Sequence, residues 1–151
     1  MARVQLALNV ADLEAAVAFY SKLFDATPAK VRPGYANFAI ESPPLKLVLV
    51  EGHGAPGTLN HLGVEVPDTA QVVAAQARLA GQGLATATED EVSCCYALQD
   101  KVWVDGPDGE PWEIYTVLDD VEMPGGELRT VDPDGDGACC ASAPESAARC
   151  C

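Results

Sequence analysis

Residues 60–66 read Asn-His-Leu-Gly-Val-Glu-Val, and the prediction of the fold starts from this short stretch. Its apolar residues alternate with His61, Gly63 and Glu65, which is the period-two pattern of a β-strand. One side of the strand should pack against apolar neighbours. The other side, which carries His61, is left for solvent or for a functional site.

An earlier segment of the chain repeats this pattern. Residues 4–24 and residues 60–80 each read as a strand, a turn and a helix, and Gln5 matches His61 with an offset of 56 residues. The aspartates that can cap the two helices keep this offset; they are Asp12 and Asp68. The chain therefore contains an internal duplication, with a ligand-capable side chain at the equivalent point of each copy.

Short extended runs follow each helix, so the two copies predict the same order of elements. We expect an α+β fold of two tandem βαβββ modules, about residues 3–51 and 58–118. The closing strands of the modules align with an offset of 67, which makes the second module 11 residues longer. The extra length should form a loop that holds Cys94 and Cys95 and acts as a lid.

The composition argues against several classes of partner. The 151 residues include 9 basic and 23 acidic side chains, and the net charge of −14 would repel the phosphates of a nucleic acid. No apolar run is long enough to cross a bilayer, and the N-terminus lacks the pattern of a signal peptide. We therefore expect a cytoplasmic protein whose thiols stay reduced.

The six cysteines occur as three adjacent pairs, which is not the spacing of a disulfide framework. Two thiolates on one short segment can hold a single soft atom. One pair, Cys94-Cys95, lies in the second module. Residues 119–151 form an acidic segment rich in Gly, Pro and Ala that we expect to be a mobile tail. Its two pairs, which could capture soft metals, are Cys139-Cys140 and Cys150-Cys151.

Three side chains can project from the strands into one cavity. Glu113 alternates with apolar residues in the last strand, and its aligned counterpart in the first module is Lys46, which is no ligand while protonated. Gln5, His61 and Glu113 would thus make one site, whose imidazole, carboxylate and amide oxygen resemble a facial triad with open positions on a divalent ion. Tyr115 shares the Glu113 face, as a hydrogen-bond donor to a ligand or as an ordinary core tyrosine.

Each candidate ligand also has an ordinary structural interpretation. Taken singly, Gln5 is a polar strand residue, His61 a hydrogen-bonded inner histidine and Glu113 a surface acid. Their equivalent placement in a duplicated framework favours the metal site. The small residues Gly63 and Ala7 beside them leave the space that such a site needs.

The chain resembles the vicinal oxygen chelate superfamily, which includes glyoxalase I, extradiol dioxygenases and antibiotic-resistance binding proteins. The resemblance covers residues 3–118 and rests on the paired modules, on Asn-His-Leu-Gly-Val at 60–64 and on Pro-Asp-Gly-Glu-Pro-Trp-Glu at 107–113. Within it, Cys94-Cys95 ahead of Lys-Val-Trp-Val at 101–104 and the cysteine-paired tail resemble ArsI-type organoarsenical carbon–arsenic lyases and the related cadmium-induced proteins.

This resemblance implies a mixed-sheet cup around one metal site, and an iron(II)- and oxygen-dependent, dioxygenase-like lyase. Such an enzyme cleaves the carbon–arsenic bond of trivalent organoarsenicals such as methylarsenite and releases arsenite, which serves arsenic resistance. The family's metal positions fall on Gln5, His61 and Glu113, and its arsenic-binding thiols on Cys94 and Cys95. Extradiol enzymes have histidine where this chain has Gln5, so nickel, cobalt or zinc could replace Fe(II) in isolated protein, although glyoxalase-type sites also accept glutamine.

Two alternatives stay open at the level of sequence. The same fold could sequester cadmium or arsenite on its thiol pairs without turnover. It could also be a glyoxalase or an extradiol enzyme that acts on an ordinary organic substrate, although that function gives no reason for Cys94-Cys95.

Overall fold

A computed structural model of the chain describes residues 2–94 and 96–122. The order of elements is the predicted one, and a short strand supplies the third strand after the first helix. The last strand continues two residues past position 118. In chain order the elements are β1 (Arg3–Val10), α1 (Leu13–Phe24), β2 (Lys30–Arg32), β3 (Tyr35–Ile40), β4 (Leu45–Glu51), β5 (Leu59–Glu65), α2 (Thr69–Gly81), β6 (Ala87–Cys94), β7 (Ala97–Asp105) and β8 (Pro111–Asp120).

In the described residues the strands form one mixed sheet of eight, in the order β2-β3-β4-β1-β5-β8-β7-β6. β1 and β5 are antiparallel at its centre, and each is parallel to the closing strand of its own module. The sheet curls until its two ends touch. Lys30 donates to the Tyr96 carbonyl, the Tyr96 hydroxyl donates to the Pro33 carbonyl, and the Tyr35 and Tyr96 rings are 5.5 Å apart. The predicted α+β cup is therefore confirmed.

The duplication is visible in the pairing of β1 with β5. Leu6 lies opposite Leu62, and these two residues are also equivalent in the repeat, so a pseudo-twofold axis passes between them. Gln5 lies opposite Gly63, and Ala7 lies opposite His61. The offset of 56 residues read from the sequence is thus the offset of the fold.

The alignment of the closing strands was wrong by two residues. Gly63 pairs with Glu113, and its equivalent, Ala7, pairs with Val48, so Val48 rather than Lys46 is the counterpart of Glu113. The predicted excess of 11 residues is accordingly two too many. A shift by two residues keeps every side chain on its own face of a strand, so an alternating pattern cannot detect it.

Over the described residues, most of the extra length of the second module lies in strands. It lengthens the β6–β7 hairpin, whose strands have 8 and 9 residues against 3 and 6 in β2 and β3. Cys94 is the last residue of β6, and β7 begins at Ala97. In the described residues, the expected loop is therefore mostly a hairpin of two strands. Its role as a lid stays a prediction.

Both helices begin as predicted. The Asp12 carboxylate accepts from the backbone of Ala15 at the start of α1, and that of Asp68 accepts from Gln71 at the start of α2. α1 then covers the convex side of the first module with its apolar residues at helical spacing. The α1 residues packed on the core of Phe38, Ile40, Leu47 and Leu49 are Leu13, Ala16, Val17, Tyr20 and Phe24.

The concave face of the central strands is more deeply buried than the convex one. On β1 the inward residues Gln5, Ala7 and Asn9 are at most 4% exposed, whereas Val4 on the outer face is 47% exposed. The more deeply buried face of β1 is therefore the one that carries its polar side chains. Neither of the helices formed by the described residues is long and apolar enough to cross a membrane.

We expect Leu49→Ala to lower the free energy of unfolding by about 2–5 kcal/mol, because it opens a cavity at a fully buried site between β4 and α1. Leu23→Ala is the matched control, since Leu23 is 58% exposed and its loss should change the same free energy by no more than about 0.5 kcal/mol. Urea unfolding of both variants measures the difference. Equal losses in the two variants would contradict this account of the core.

Candidate active site

Gln5, His61 and Glu113 meet on the concave side of the sheet. Gln5 Nε2 lies 2.9 Å from His61 Nε2 and 2.7 Å from Glu113 Oε1, and these last two atoms are 3.3 Å apart. All three residues are at most 4% exposed. The side chains that the sequence singled out are thus neighbours, and their role as metal ligands stays a prediction.

Gly63 makes this approach possible. A Cβ atom at that position would lie 3.1 Å from Glu113 Cγ, 3.2 Å from Gln5 Cβ and 3.3 Å from Tyr115 Cε1, and all three contacts are tight. The predicted need for a small residue is met here. Ala7 has a different environment, because it is fully buried in an apolar cluster that includes Val48.

Glu113 is held ionised by its neighbours. Burial alone raises the pKa of its carboxyl, but the positive charge of Lys101 is the largest effect that lowers it, and the pKa lies well below its usual range. Lys101 Nζ is 2.9 Å from Glu113 Oε2, and the lysine is 1% exposed. One carboxylate oxygen is therefore bound to Lys101, and the other faces His61 and Gln5.

Lys101 was not among the predicted site residues. Its ammonium group also lies 5.2 Å from the centre of the Trp103 ring, which in turn packs edge-on against His61 at 5.7 Å. A lysine two residues before a tryptophan in a strand shares its face, and this spacing was the available signal. The side chains that surround the predicted ligands on the β7 side are thus Lys101 and Trp103.

Tyr115 contacts the site directly and is not an ordinary core tyrosine. Its hydroxyl donates to Gln5 Oε1 at 2.5 Å and also lies 3.2 Å from Glu65 Oε2. Burial first, and then the negative charges of Glu113 and Glu65, raise the pKa of this phenol well above its ordinary value. Tyr115 therefore stays protonated and serves as a hydrogen-bond donor.

Glu65 links this tyrosine to two cations. Arg3 binds its carboxylate at 2.9 and 3.3 Å, and Lys46 Nζ lies 3.5 Å from it and 4.9 Å from the Tyr115 ring centre. Burial raises the pKa of Glu65, but the hydrogen bond from Arg3 and the charges of Lys46 and Arg3 bring it below its usual value. The ammonium group of Lys46 thus pairs with the carboxylate of Glu65.

His61 is oriented from its other nitrogen. Nδ1 lies 2.7 Å from the side-chain oxygen of Asn60, which is fully buried. Strict alternation would turn Asn60 to the outer face. A bulge in β5 prevents this, because Ala7 pairs with His61 and Leu8 already pairs with Leu59. The sequence pattern therefore missed Asn60 as a neighbour of His61.

β6 ends at Cys94, the first residue of the predicted arsenic-binding pair. Tyr96, beside the pair, has a φ of 61° and is 7% exposed. The Cys94 side chain and Cys95 lie outside the described residues. So do the four predicted tail thiols, Cys139, Cys140, Cys150 and Cys151.

The donor set of Gln5, His61 and Glu113 fits a divalent metal ion. A neutral imidazole nitrogen, a carboxylate oxygen and an amide oxygen are the ligand types of open, redox-capable sites. The Gln5 amide would have to turn, because Nε2 now faces the other two groups and an amide nitrogen is a donor without a lone pair for a metal. In residues 2–94 and 96–122, no three His, Cys, Asp or Glu side chains are grouped for a metal.

Comparison with known proteins bears on this site. A model of the glyoxalase/bleomycin resistance protein/dioxygenase superfamily matches residues 3–114. A trivalent organoarsenical cleaving enzyme of Thermomonospora curvata is 61% identical over 93% of this chain and 89% of its own. The cadmium-induced protein CadI of Mycobacterium tuberculosis is also 61% identical, over 93% of each chain. A trivalent organoarsenical cleaving enzyme of Bacillus sp. MD1 is 40% identical over the whole chain and 91% of its own.

Solved structures share the fold at lower identity. An extradiol ring-cleaving dioxygenase from B. fuscum superposes with a TM-score of 0.58 at 20% identity, over 80% of this chain and 34% of that one. Methylmalonyl-CoA epimerase from Mycobacterium tuberculosis gives 0.55 at 17% identity, over 74% and 85%. The chain belongs to the glyoxalase/bleomycin resistance protein/dioxygenase superfamily, and within it to the family that contains the trivalent organoarsenical cleaving enzymes and the cadmium-induced proteins.

Proposed function

We propose that this protein is an Fe(II)- and O2-dependent enzyme that cleaves the carbon–arsenic bond of trivalent organoarsenicals such as methylarsenite. One observation carries the proposal: the Gln5, His61 and Glu113 side chains are buried and in contact with one another, in a chain that is 61% identical to a trivalent organoarsenical cleaving enzyme over 93% of its length. The activity would remove a toxic organoarsenical and yield inorganic arsenite.

The atoms of the reaction balance with dioxygen as the co-substrate. Methylarsenite, CH3As(OH)2, and O2 together contain the atoms of arsenite, As(OH)3, and formaldehyde. Arsenic stays trivalent, the methyl carbon is oxidised and dioxygen is reduced. Formaldehyde and arsenite are therefore the two products to measure for this substrate.

Three groups of the chain would hold the metal: His61 Nε2, Glu113 Oε1 and, after its amide turns, Gln5 Oε1. Iron(II) bound there would supply the redox chemistry with dioxygen. Bulk water has little access to this site, since the three side chains are at most 4% exposed. The low exposure also strengthens every charge interaction in the site.

The neighbouring side chains prepare these ligands. Lys101 binds Glu113 Oε2 and keeps the carboxylate ionised, while Oε1 lies on the side of His61 and Gln5. Tyr115 lies 2.5 Å from the Gln5 amide, and Glu65 lies 3.2 Å from the same hydroxyl. When the amide turns, its NH2 group faces Tyr115, whose oxygen can accept while its proton goes to Glu65. The turned amide therefore keeps a hydrogen bond.

The thiols of Cys94 and Cys95 are proposed to bind arsenic. Trivalent arsenic prefers thiolates, and two thiolates can replace its two exchangeable oxygens while the organic group stays attached. Cys94 ends β6, at the end of the hairpin that also carries Lys101 and Trp103 on β7. The hairpin would thus bring the arsenical and the metal ligands into one pocket.

The second candidate function is sequestration of cadmium or arsenite on the cysteine pairs. It is favoured by the cadmium-induced relatives, which are as similar to this chain as the first cleaving enzyme, at 61% identity. A sequestering protein binds its metal in a fixed ratio and needs neither oxygen nor His61. The two functions therefore differ in measurable products.

We expect wild-type protein reconstituted with Fe(II) without air to convert methylarsenite to arsenite and formaldehyde once air is admitted. His61→Ala should retain less than about one hundredth of the rate, because loss of a ligand should exceed the 10–100-fold cost of losing a neighbour of a ligand. Arsenic speciation and formaldehyde assay give the readout. His53→Ala is the matched control, since it removes the other histidine of the sequence, which lies between β4 and β5.

Unchanged methylarsenite on wild-type thiols, with iron and air present, would overturn the lyase and support sequestration. Arsenite release at the normal rate by His61→Ala would reject this metal centre.

Lys101→Met should lower both turnover and Co(II) affinity by about 10–100-fold, because Glu113 loses the partner of its second oxygen. Lys46→Met is the matched control: it also removes a buried lysine, but one that pairs with Glu65. Titration with Co(II), followed by visible absorption, measures affinity separately from turnover. A loss no larger than that of the control would show that Lys101 has no special part in the site.

Metal-free protein should lose stability as the pH falls from about 5 to 3. The folded pKa of Glu113 lies below its usual value of 4.5, so its contribution is present above that value and disappears as the pH falls toward the folded pKa. Glu65 acts in the same direction. Urea unfolding at several pH values should give a shallower loss for Glu113→Gln. A loss as steep as that of wild type would contradict the depressed pKa.

A further inference from the structure

A chain of hydrogen bonds leads from His61 to the linker between the two modules. His61 Nδ1 lies 2.7 Å from Asn60 Oδ1, and Asn60 Nδ2 donates to Asn9 Oδ1 at 2.9 Å. Asn9 Nδ2 donates to Thr58 Oγ1 at 3.0 Å, and Thr58 Oγ1 donates to the Ala55 carbonyl at 2.6 Å. The proposed function assigns no role to the residues of this hydrogen-bond network other than His61.

The far end of the chain sets the direction of every bond in it. A backbone carbonyl can only accept, so the single Thr58 hydroxyl proton goes to Ala55 and the Thr58 oxygen accepts from Asn9. The Asn9 amide then presents its oxygen to Asn60, whose own NH2 group is used on that side. Asn60 therefore presents an oxygen to His61, and His61 Nδ1 must carry the proton.

The contacts at the other ring nitrogen agree. While Tyr115 donates to Gln5 Oε1, the Gln5 NH2 group faces His61 Nε2 at 2.9 Å and Glu113 Oε1 at 2.7 Å. An amide NH2 group only donates, so His61 Nε2 accepts and has no proton. The Gln5 contact is thus consistent with the tautomer that the Thr58 end requires, and Glu113 Oε1, which lies 3.3 Å from His61 Nε2, accepts its own hydrogen bond from Gln5.

We propose that Asn60, Asn9 and Thr58 are positioning residues that hold His61 as the Nδ1–H tautomer, with the Nε2 lone pair directed into the pocket. The use of that lone pair for a metal rests on the proposed function. Asn60 is fully buried and Asn9 is 4% exposed, so the opposite tautomer would leave two buried lone pairs facing each other. The hydrogen-bond network therefore favours one tautomer of His61 over the other.

The linker of residues 52–57, between β4 and β5, contacts Asn9 of this hydrogen-bond network. The Asn9 backbone accepts from Gly57 at 2.8 Å and donates to Thr58 at 2.9 Å. A Cβ atom at Gly54 would lie 2.6 Å from Asn9 Nδ2 and 2.9 Å from Asn9 Cγ. A methyl group at this position must push the Asn9 amide, although Gly54 is not a member of the hydrogen-bond chain. The linker thus affects His61 through Asn9.

The test begins with the metal-free full chain carrying His53→Gln, so that His61 is the one remaining histidine. Long-range 1H–15N correlation of labelled imidazole, at a pH of about 8.5 where an ordinary histidine is neutral, reports the tautomer. We expect Nδ1–H in this background and in Asn60→Asp, whose carboxylate still accepts from Nδ1. Asn60→Leu should show a loss of the pure Nδ1–H form.

The second readout is Co(II) affinity. Asn60→Leu should bind about 10–100-fold more weakly than wild type, and Gly54→Ala should bind more weakly than Gly81→Ala. Gly81→Ala is the matched control because it adds the same methyl where nothing lies within 4 Å. Gly54→Ala also keeps the test valid if Asn60→Leu fails to fold.

An Nε2–H tautomer in the His53→Gln background would overturn the inference. So would unchanged tautomer and unchanged Co(II) affinity in both Asn60→Leu and Gly54→Ala. An Nδ1–H tautomer in a protein that binds no Co(II) would support the positioning chain and count against the metal centre, so the two proposals fail separately.

Discussion

The antiparallel pairing of β1 with β5 in one register is the constraint on which the rest of the structure depends. It sets Gln5 opposite Gly63 and Ala7 opposite His61, and it makes Leu6 and Leu62 the pair on the pseudo-twofold axis. A slip by one residue would turn Gln5 to the convex face, away from His61. The candidate site therefore exists because two copies of one strand meet in a single alignment, and neither copy contains it alone.

Buried charge in the cup is compensated in two separate groups. Glu113 is paired with Lys101, and Glu65 is paired with Arg3 and Lys46. Burying charges costs several kcal/mol per ion unless partners and hydrogen bonds replace water. The Tyr115 hydroxyl joins the two groups through Gln5 and Glu65. The Gln5 amide, which would have to turn to serve as a ligand, is thus hydrogen-bonded to both Glu113 and Tyr115.

Much of this arrangement could be predicted from the sequence, because the signals are local. Alternation identified the inward faces of β1, β5 and β8, and the two aspartate caps located the helix starts. These local signals failed where the position of a residue depends on pairing between strands that are distant in sequence. The register of β4 and β8, the bulge at Asn60 and the β6–β7 hairpin all depend on such pairing. Lys101 was missed because a lone lysine in a strand is ordinarily exposed, and only the fold supplies its carboxylate.

Gly63 contributes no functional group, yet three of its neighbours lie where a side chain would begin. A larger residue there requires Gln5, Glu113 and Tyr115 to give way, because the three contacts are already tight at 3.1, 3.2 and 3.3 Å. A survey of tolerated substitutions would therefore rank this position beside the candidate ligands themselves. The effect of Gly63→Ala would report how rigidly Gln5, Glu113 and Tyr115 are held against one another.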